Sequence, residues 1–459
     1  MEKLNFQDTA FLRLEAPQRP FHVAGLMVLS LPKNAPPGFV RDLAETMGRM
    51  PEVWPIFHKK LNQPDPTKAQ GWVEAKDYDP VYHIHHYALP PVGRMEDLLR
   101  IVSRVHERML DRSRPLWEFH LIEGLGRHSF ALYCKVHHAL IDGVGALRMV
   151  DTFFSTSPKE RIDIETVEQQ AKEHHHHKNL FEQVSDAAAG LLAQGRALPE
   201  LSSMLLSMGW RGWQEGASAP PLPYTAPHAI FNKEVTQQRS IITIELPLKK
   251  VRAIGATCGG TINDALIAIC GGAIRSYLLE QNALPAKSLM AGIPVSVKPK
   301  GGHEGNQLST IVCPFGTELD DPRARLERIV HITRQAKDDL RNLTSTASLD
   351  YMNLMLIPTM VLTLAGAATS IPPGYNVITS NVPGPRRRLY LNGAKLEAIY
   401  PLSLVTDAVG LNITIVSYMS KICVGITSCP SFLPNIDSLA SHIKSAYREL
   451  AESMPAEGV

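Results

Sequence analysis

The chain has 459 residues, enough for two to three domains of ordinary size. It is 44% hydrophobic and 20% charged, a globular balance with ample apolar material for large cores. With 47 Lys and Arg against 45 Asp and Glu, it carries no overall field to recruit nucleic acid or an acidic partner, so any basic site is local.

The first residues, Met1 to Asp8, lack the basic start and apolar centre of a signal peptide, and none is expected. Val23 to Leu29 has strand composition. Leu98, Ile101, Val102, Val105 and Met109 then recur at helical spacing, and Pro115 is expected to close that helix. Trp117 to Ile122 restarts extended structure. Phe130 to His138 reads as another strand, with Phe130, Leu132, Cys134, Val136 and His138 on one face.

From about Lys159 to Pro227 the composition turns charged, then Ala/Leu/Gly-rich, then proline-rich, which reads as a helical surface linker. Inside it His174 to His177 form a histidine run flanked by Glu173 and Lys178, taken as a solvated stretch with no metal. Beyond the linker, Leu354 to Ile371 is apolar but interrupted by Pro358 and Gly366, which predicts a buried or interfacial helix. No uninterrupted apolar run reaches the roughly 20 residues of a spanning helix. Leu411 to Tyr418 and Lys421 to Thr427 read as a hairpin turning near Met419-Ser420, and Leu439, Ile443, Tyr447 and Leu450 mark a closing amphipathic helix. The cysteines (Cys134, Cys258, Cys270, Cys313, Cys423, Cys429) form no C-x-x-C pair and read as buried reduced thiols. The organisation is therefore 1–165 as an N-terminal unit, 166–228 as a linker and 229–459 as a C-terminal unit, with a ligand cleft between the halves.

The chemistry concentrates in His137-His138-Ala139-Leu140-Ile141-Asp142-Gly143, between a strand and a helix starting near Gly143. An alcohol does not ionise near neutral pH, so its attack on an acyl group needs a base, and histidine with an ordinary pKa near 6.5 suits that task. Asp142 can fix the loop by ion pairing, and Gly143 permits a tight turn into the helix. His137 with Asp142 also satisfies H-x-x-x-x-D, in which the first histidine would act.

A second candidate is Asn263. Thr261 and Asp264 stand where a capping box opens a helix through Leu266, Ile269, Ala273 and Tyr277, so Asp264 reads as a cap. Asn263 then falls in the first turn, where an amide donor can face an oxyanion. Trp117 reads as core or tunnel wall, and Arg386-Arg387-Arg388 as a solvated run within reach of phosphates. His83, His85 and His86 lie on a strand with no carboxylate at ligand spacing. There is no G-x-S-x-G, H-E-x-x-H or P-loop motif, so neither a serine nucleophile nor a metal is expected.

The histidine motif resembles that of coenzyme-A-dependent acyltransferases with the chloramphenicol-acetyltransferase-like fold, a group that includes peptide-synthetase condensation domains. The whole chain is more specifically similar to the bacterial wax ester synthase/acyl-CoA:diacylglycerol acyltransferases. The matching segments are Leu4-Asn5-Phe6-Gln7-Asp8-Thr9-Ala10-Phe11-Leu12, His22-Val23-Ala24-Gly25, Pro115-Leu116-Trp117, Asn263-Asp264 and Ser380-Asn381-Val382-Pro383-Gly384-Pro385. The resemblance implies an α/β (α+β) fold of two such subdomains with mixed sheets, joined by a helical linker, the active site in the cleft or tunnel between them. It implies transfer of a long-chain acyl group from acyl-CoA to a fatty alcohol or diacylglycerol through a ternary complex. His138 would be the general base, His137, Asp142 and Gly143 would support the loop, and Asn263 would act on the oxyanion or in positioning. Trp117, Asn381 and Arg386 would contact substrate. Acyl-CoA is a co-substrate, and no cofactor is expected. The expected location is cytoplasmic, peripheral to the inner membrane or lipid inclusions, with a homodimer as an option. The alternatives are a condensation-type enzyme using carrier-protein thioesters and a non-catalytic lipid-inclusion protein.

Overall fold

The computed structural model describes residues 1–4, 6–49, 54–141, 143–161, 198–297 and 307–454. In chain order its strands are β1 (Glu2–Lys3), β2 (His22–Ser30), β3 (Lys59–Leu61), β4 (Gly71–Glu74), β5 (Ile84–Gly93), β6 (Trp117–Leu125), β7 (Ser129–His137), β8 (Ser240–Pro247), β9 (Met290–Val297), β10 (Gln307–Pro314), β11 (Val377–Val382), β12 (Tyr390–Leu391), β13 (Ala394–Leu402), β14 (Leu411–Tyr418) and β15 (Lys421–Ser428). The helices are α1 (Phe6–Leu14), α2 (Phe39–Gly48), α3 (Met95–His106), α4 (Gly143–Phe153), α5 (Leu198–Glu215), α6 (Leu248–Thr257), α7 (Ile262–Glu280), α8 (Pro322–Asn342), α9 (Ser345–Leu364) and α10 (Ile436–Glu452). Asp142 and the histidine run at 174–177 lie outside the described residues.

Two six-stranded mixed sheets form the frame, with strand orders β12-β13-β2-β7-β6-β5 and β10-β9-β11-β14-β15-β8. In the first sheet β2, β7 and β6 are antiparallel, with His22 opposite His137 and Trp117 opposite Val136, while β5 runs parallel to β6. In the second, β11 runs parallel to both β9 and β14. Each sheet has its own large apolar core. The central strands β7, β14 and β15 are buried almost end to end, as strands covered on both faces require.

The C-terminal part contributes to both sheets. Strands β12 and β13 cross over and complete the first sheet against β2. The division at residue 229 therefore does not follow the sheets. Without β13, β2 would be an open edge of unpaired backbone groups beside the strand that ends in His137. The crossover packs tightly: a Cβ on Gly425 of β15 would stand 1.9 Å from Pro401 O of β13.

Two expectations shift. Helix α3 stops at His106, well before Pro115, because buried Lys135 donates from Nζ to the carbonyls of Val105 (3.2 Å) and Arg108 (2.7 Å) and ends the helix there. Helix α7, among the described residues, is long and apolar enough to cross a membrane, yet 72% of that stretch is buried in the second core. Asn263, Asp264 and Arg275 break its apolar run in sequence, which is why no continuous stretch stood out. The six cysteines are free thiols; all are buried except Cys258, which is partly exposed.

Candidate active site

The paired histidines occupy different environments. His137 is the last residue of β7 and wholly buried, while His138 begins the following turn and is partly exposed. Ala139 N–H donates to His137 Nδ1 (3.1 Å), so the proton of the neutral ring sits on Nε2. That nitrogen faces Glu15 Oε2 at 3.6 Å, an electrostatic contact longer than a hydrogen bond, and both side chains are fully buried.

Glu15 in turn organises the loop from its other side. Its Oε1 accepts from Phe21 N–H (3.0 Å), and Phe21 O accepts from His138 N–H (2.9 Å). Arg112 donates to Glu15 Oε2 from Nε (3.1 Å) and Nη2 (3.0 Å), and from Nη2 also to Leu12 O (3.1 Å). Burial alone would raise the Glu15 carboxyl, but His137, the Phe21 N–H and Arg112 outweigh it and hold the group at about 2. The carboxylate is therefore charged, and it links the His137 ring to the Phe21 backbone that receives the His138 N–H. Phe11 of α1 packs on the His138 ring, with centroids 4.9 Å apart.

The second half of the site comes from the other sheet. A Cβ built on Gly143, at the start of α4, would lie 3.6 Å from Val382 Cγ2 at the end of β11. The residue before Val382 is Asn381, whose side-chain amide donates to Asn263 Oδ1 at the start of α7. The turn after the histidines, the end of β11 and the N-terminus of α7 thus meet. Thr261 caps α7 in a capping box with Asp264, which also accepts from Thr333 Oγ1 (2.7 Å) on α8. Capping is complete without Asn263, whose Nδ2 has no hydrogen-bond partner among the described residues. Gly384 fixes the next turn, since a Cβ there would stand 2.2 Å from Ser417 O of β14.

The remaining sequence candidates divide. Trp117 is a core residue: it is fully buried, its indole N–H donates to Phe57 O (2.9 Å), and it stacks on His83 at 4.4 Å. Arg386 is exposed beyond the Pro383-Gly384-Pro385 turn, and its neighbour Arg387 pairs with Asp151 of α4 at 3.1 Å. Sequence reasoning missed Glu15 and Arg112, because nothing local pairs positions 97 residues apart. It also missed that His85, Glu118 and His120, on adjacent strands β5 and β6, offer ligand atoms within 4.8 Å of one another, an arrangement able to hold a metal ion. Lys135 Nζ already lies 3.5 Å from Glu118 Oε2, which places a competing cation on that carboxylate.

Comparison with known proteins covers nearly the whole chain. The pattern for the wax ester synthase/diacylglycerol acyltransferase catalytic domain matches residues 4–266, and that for the corresponding C-terminal domain matches residues 304–451. The O-acyltransferase WSD of Acinetobacter baylyi is 34% identical over 454 residues, covering 97% of this chain and 96% of that protein. A probable diacylglycerol O-acyltransferase of Mycobacterium tuberculosis is 33% identical over 465 residues, covering 99% of this chain and 100% of that one. The solved wax ester synthase/diacylglycerol acyltransferase of Marinobacter aquaeolei VT8 superposes with a TM-score of 0.78 at 33% identity, over 98% of both chains. The starter condensation domain of rhizomide synthetase superposes at 0.55 with 11% identity, a likeness of fold alone.

Proposed function

We propose a reaction path from one premise: the chain belongs to the wax ester synthase/diacylglycerol acyltransferase family. It is an acyl-CoA-dependent O-acyltransferase that acylates the hydroxyl of an alcohol or of diacylglycerol.

In this path His138 is the general base. The observation that carries it is the contrast between the two rings. His137 is sealed, with Nδ1 taken by Ala139 N–H and Nε2 turned to Glu15, whereas His138 stands partly exposed at the junction of the two sheets. His138 takes the hydroxyl proton as the alcohol oxygen attacks the thioester carbonyl. The C–O bond forms, the tetrahedral oxyanion collapses, and the C–S bond breaks. The proton held by His138 passes to the departing coenzyme A thiolate. A thioester is already activated, so no acyl-enzyme is required.

Asn263 supports the oxyanion. Its Oδ1 is held by Asn381, which fixes the amide plane and leaves Nδ2 to donate. His137 and Gly143 hold the loop. Arg386, exposed beside α4, suits a coenzyme A phosphate.

Long-chain alcohols and esters partition into lipid, and α9 exposes Leu356, Ile357, Val361 and Leu364. The enzyme accordingly works while bound peripherally to a lipid surface, the inner membrane or an inclusion on the cytoplasmic side. Release from membranes by alkaline carbonate is the expected behaviour, and full retention would contradict it.

The test of the path is coenzyme A release from palmitoyl-CoA with and without hexadecanol. A ternary complex gives release only when the alcohol is present. A stoichiometric burst without alcohol would instead require an acyl-enzyme.

A further inference from the structure

The outer face of α5 departs from that of an ordinary surface helix, which lines its water side with charged and polar residues. The inward side chains Leu201, Met204 and Met208 are buried in the second core. The three charged residues of α5 lie along its flanks, and each is engaged by a neighbouring helix or its cap. Glu200 accepts from Thr344 Oγ1 (2.8 Å), Arg211 donates to Asp339 (3.0 Å), and Glu215 lies 3.7 Å from His331. Between the exposed Glu200 and Glu215 near the two ends of the helix, the solvent face carries an uncharged stripe of Leu206, Trp210 and Trp213, which are 74%, 61% and 77% exposed. The two indoles lie together, with ring centroids 5.3 Å apart.

Leaving that much aromatic surface in water is unfavourable, and an isolated Trp pair at the crest of a helix marks a contact surface. The neighbouring elements identify its partner. Helix α5 packs against α9, whose own outward residues Leu356, Ile357, Val361 and Leu364 carry no charge. Helix α9 packs against α1, which places Phe11 on the His138 ring. The apolar surface therefore adjoins the elements that lead to the base, and the reaction handles lipid substrates. Tryptophan favours the bilayer interface, where its ring is buried and its N–H meets the polar layer.

We propose that the Leu206-Trp210-Trp213 stripe of α5 is the surface by which this enzyme docks onto lipid, inserting both indoles into the interfacial layer of an uncharged or zwitterionic lipid surface. The proposal rests on the peripheral lipid-bound reading above and names the face that makes the contact. Because the stripe holds no ionised group, docking requires neither anionic lipid nor low salt.

The test uses the full-length protein with phosphatidylcholine vesicles, with and without anionic phosphatidylglycerol, at low and high salt. Wild type is expected to co-sediment with phosphatidylcholine alone, independently of salt, and to show a blue-shifted tryptophan emission. Trp72 and Trp117 are buried and Trp54 is partly so, which leaves Trp210 and Trp213 to report. Trp210→Ser/Trp213→Ser should lower the vesicle partition coefficient by at least about tenfold, while turnover of a short acyl-CoA with hexanol stays unchanged. Leu206→Ser, a milder change on the same stripe, should lower partition by a smaller factor with no loss of fold. A double variant that binds like wild type would overturn the surface while leaving peripheral binding intact. A wild type that ignores every vesicle would overturn the peripheral reading itself. Binding only to anionic vesicles, or a dimer in solution that the double variant splits, would overturn the proposal by assigning the stripe to another role.

Discussion

Glu15 ties together the two strands that meet at His138: one carboxylate oxygen faces the His137 ring, and the other holds Phe21, whose carbonyl receives the His138 N–H. A charged group this deeply buried is costly unless paired, and Arg112 supplies the pairing. The arrangement fixes His138 through backbone and ring contacts, and such orientation is what a general base at this position requires.

Glu15→Gln should therefore weaken both fold and rate. Removing the charge takes the paired carboxylate from Arg112, whose side chain is only 16% exposed, at a cost of about 3 kcal/mol near neutral pH. The pH dependence has a definite sign. Glu15 titrates at about 2 in the folded protein and near 4.5 unfolded, so its contribution is complete above pH 4.5 and is lost as pH falls toward 2. Denaturant titrations from pH 7 to pH 2 should show wild type and variant far apart at pH 7 and converging in acid. A constant gap across that range would contradict the charged role.

Asn263 and Thr261 separate capping from chemistry. Thr261 and Asp264 complete the cap of α7, so Thr261→Ala should cost about 1 kcal/mol with little kinetic effect. Asn263→Ala should keep its melting temperature and lose roughly 10²–10³-fold in turnover at similar substrate affinity. Asn263→Asp, which places a negative charge at the oxyanion, should be slow as well. An Asn263→Asp enzyme as stable and as fast as wild type would refute the oxyanion role.

Gly425 tests the crossover. Its missing Cβ makes room for Pro401 O, so Gly425→Ala must push β13 away from β15. The expected loss is about 1–3 kcal/mol in a denaturant titration. An unchanged midpoint would show that the two sheets yield there at no cost.

The sequence exposes what is local. The apolar run from Phe130 locates β7, which ends at His137 and not His138, the Thr261 and Asp264 spacing locates the start of α7, and the hairpin of β14 and β15 follows from its turn at Met419-Ser420. Distant pairing is hidden. Nothing near Glu15 points to Arg112, nothing near His85 points to Glu118, and the apolar run of β13 reads the same whichever sheet it joins. Residue type alone marks Asn263 and Asn381 as polar positions, and only the meeting of α7 with β11 makes them a pair. Trp210 and Trp213 lie in a stretch that reads as linker, and their meaning depends on which side of α5 faces the core.

The assignment of the base is tested most directly by single-turnover acyl transfer, with melting temperatures measured alongside, on His138→Ala and His137→Ala. His138→Ala is expected to keep its melting temperature and to slow by roughly 10²–10⁴-fold. His137→Ala is expected to melt lower, because the charge on Glu15 loses a buried partner. A folded His138→Ala enzyme with wild-type turnover, beside a folded His137→Ala enzyme with none, would contradict the account and make His137 the base.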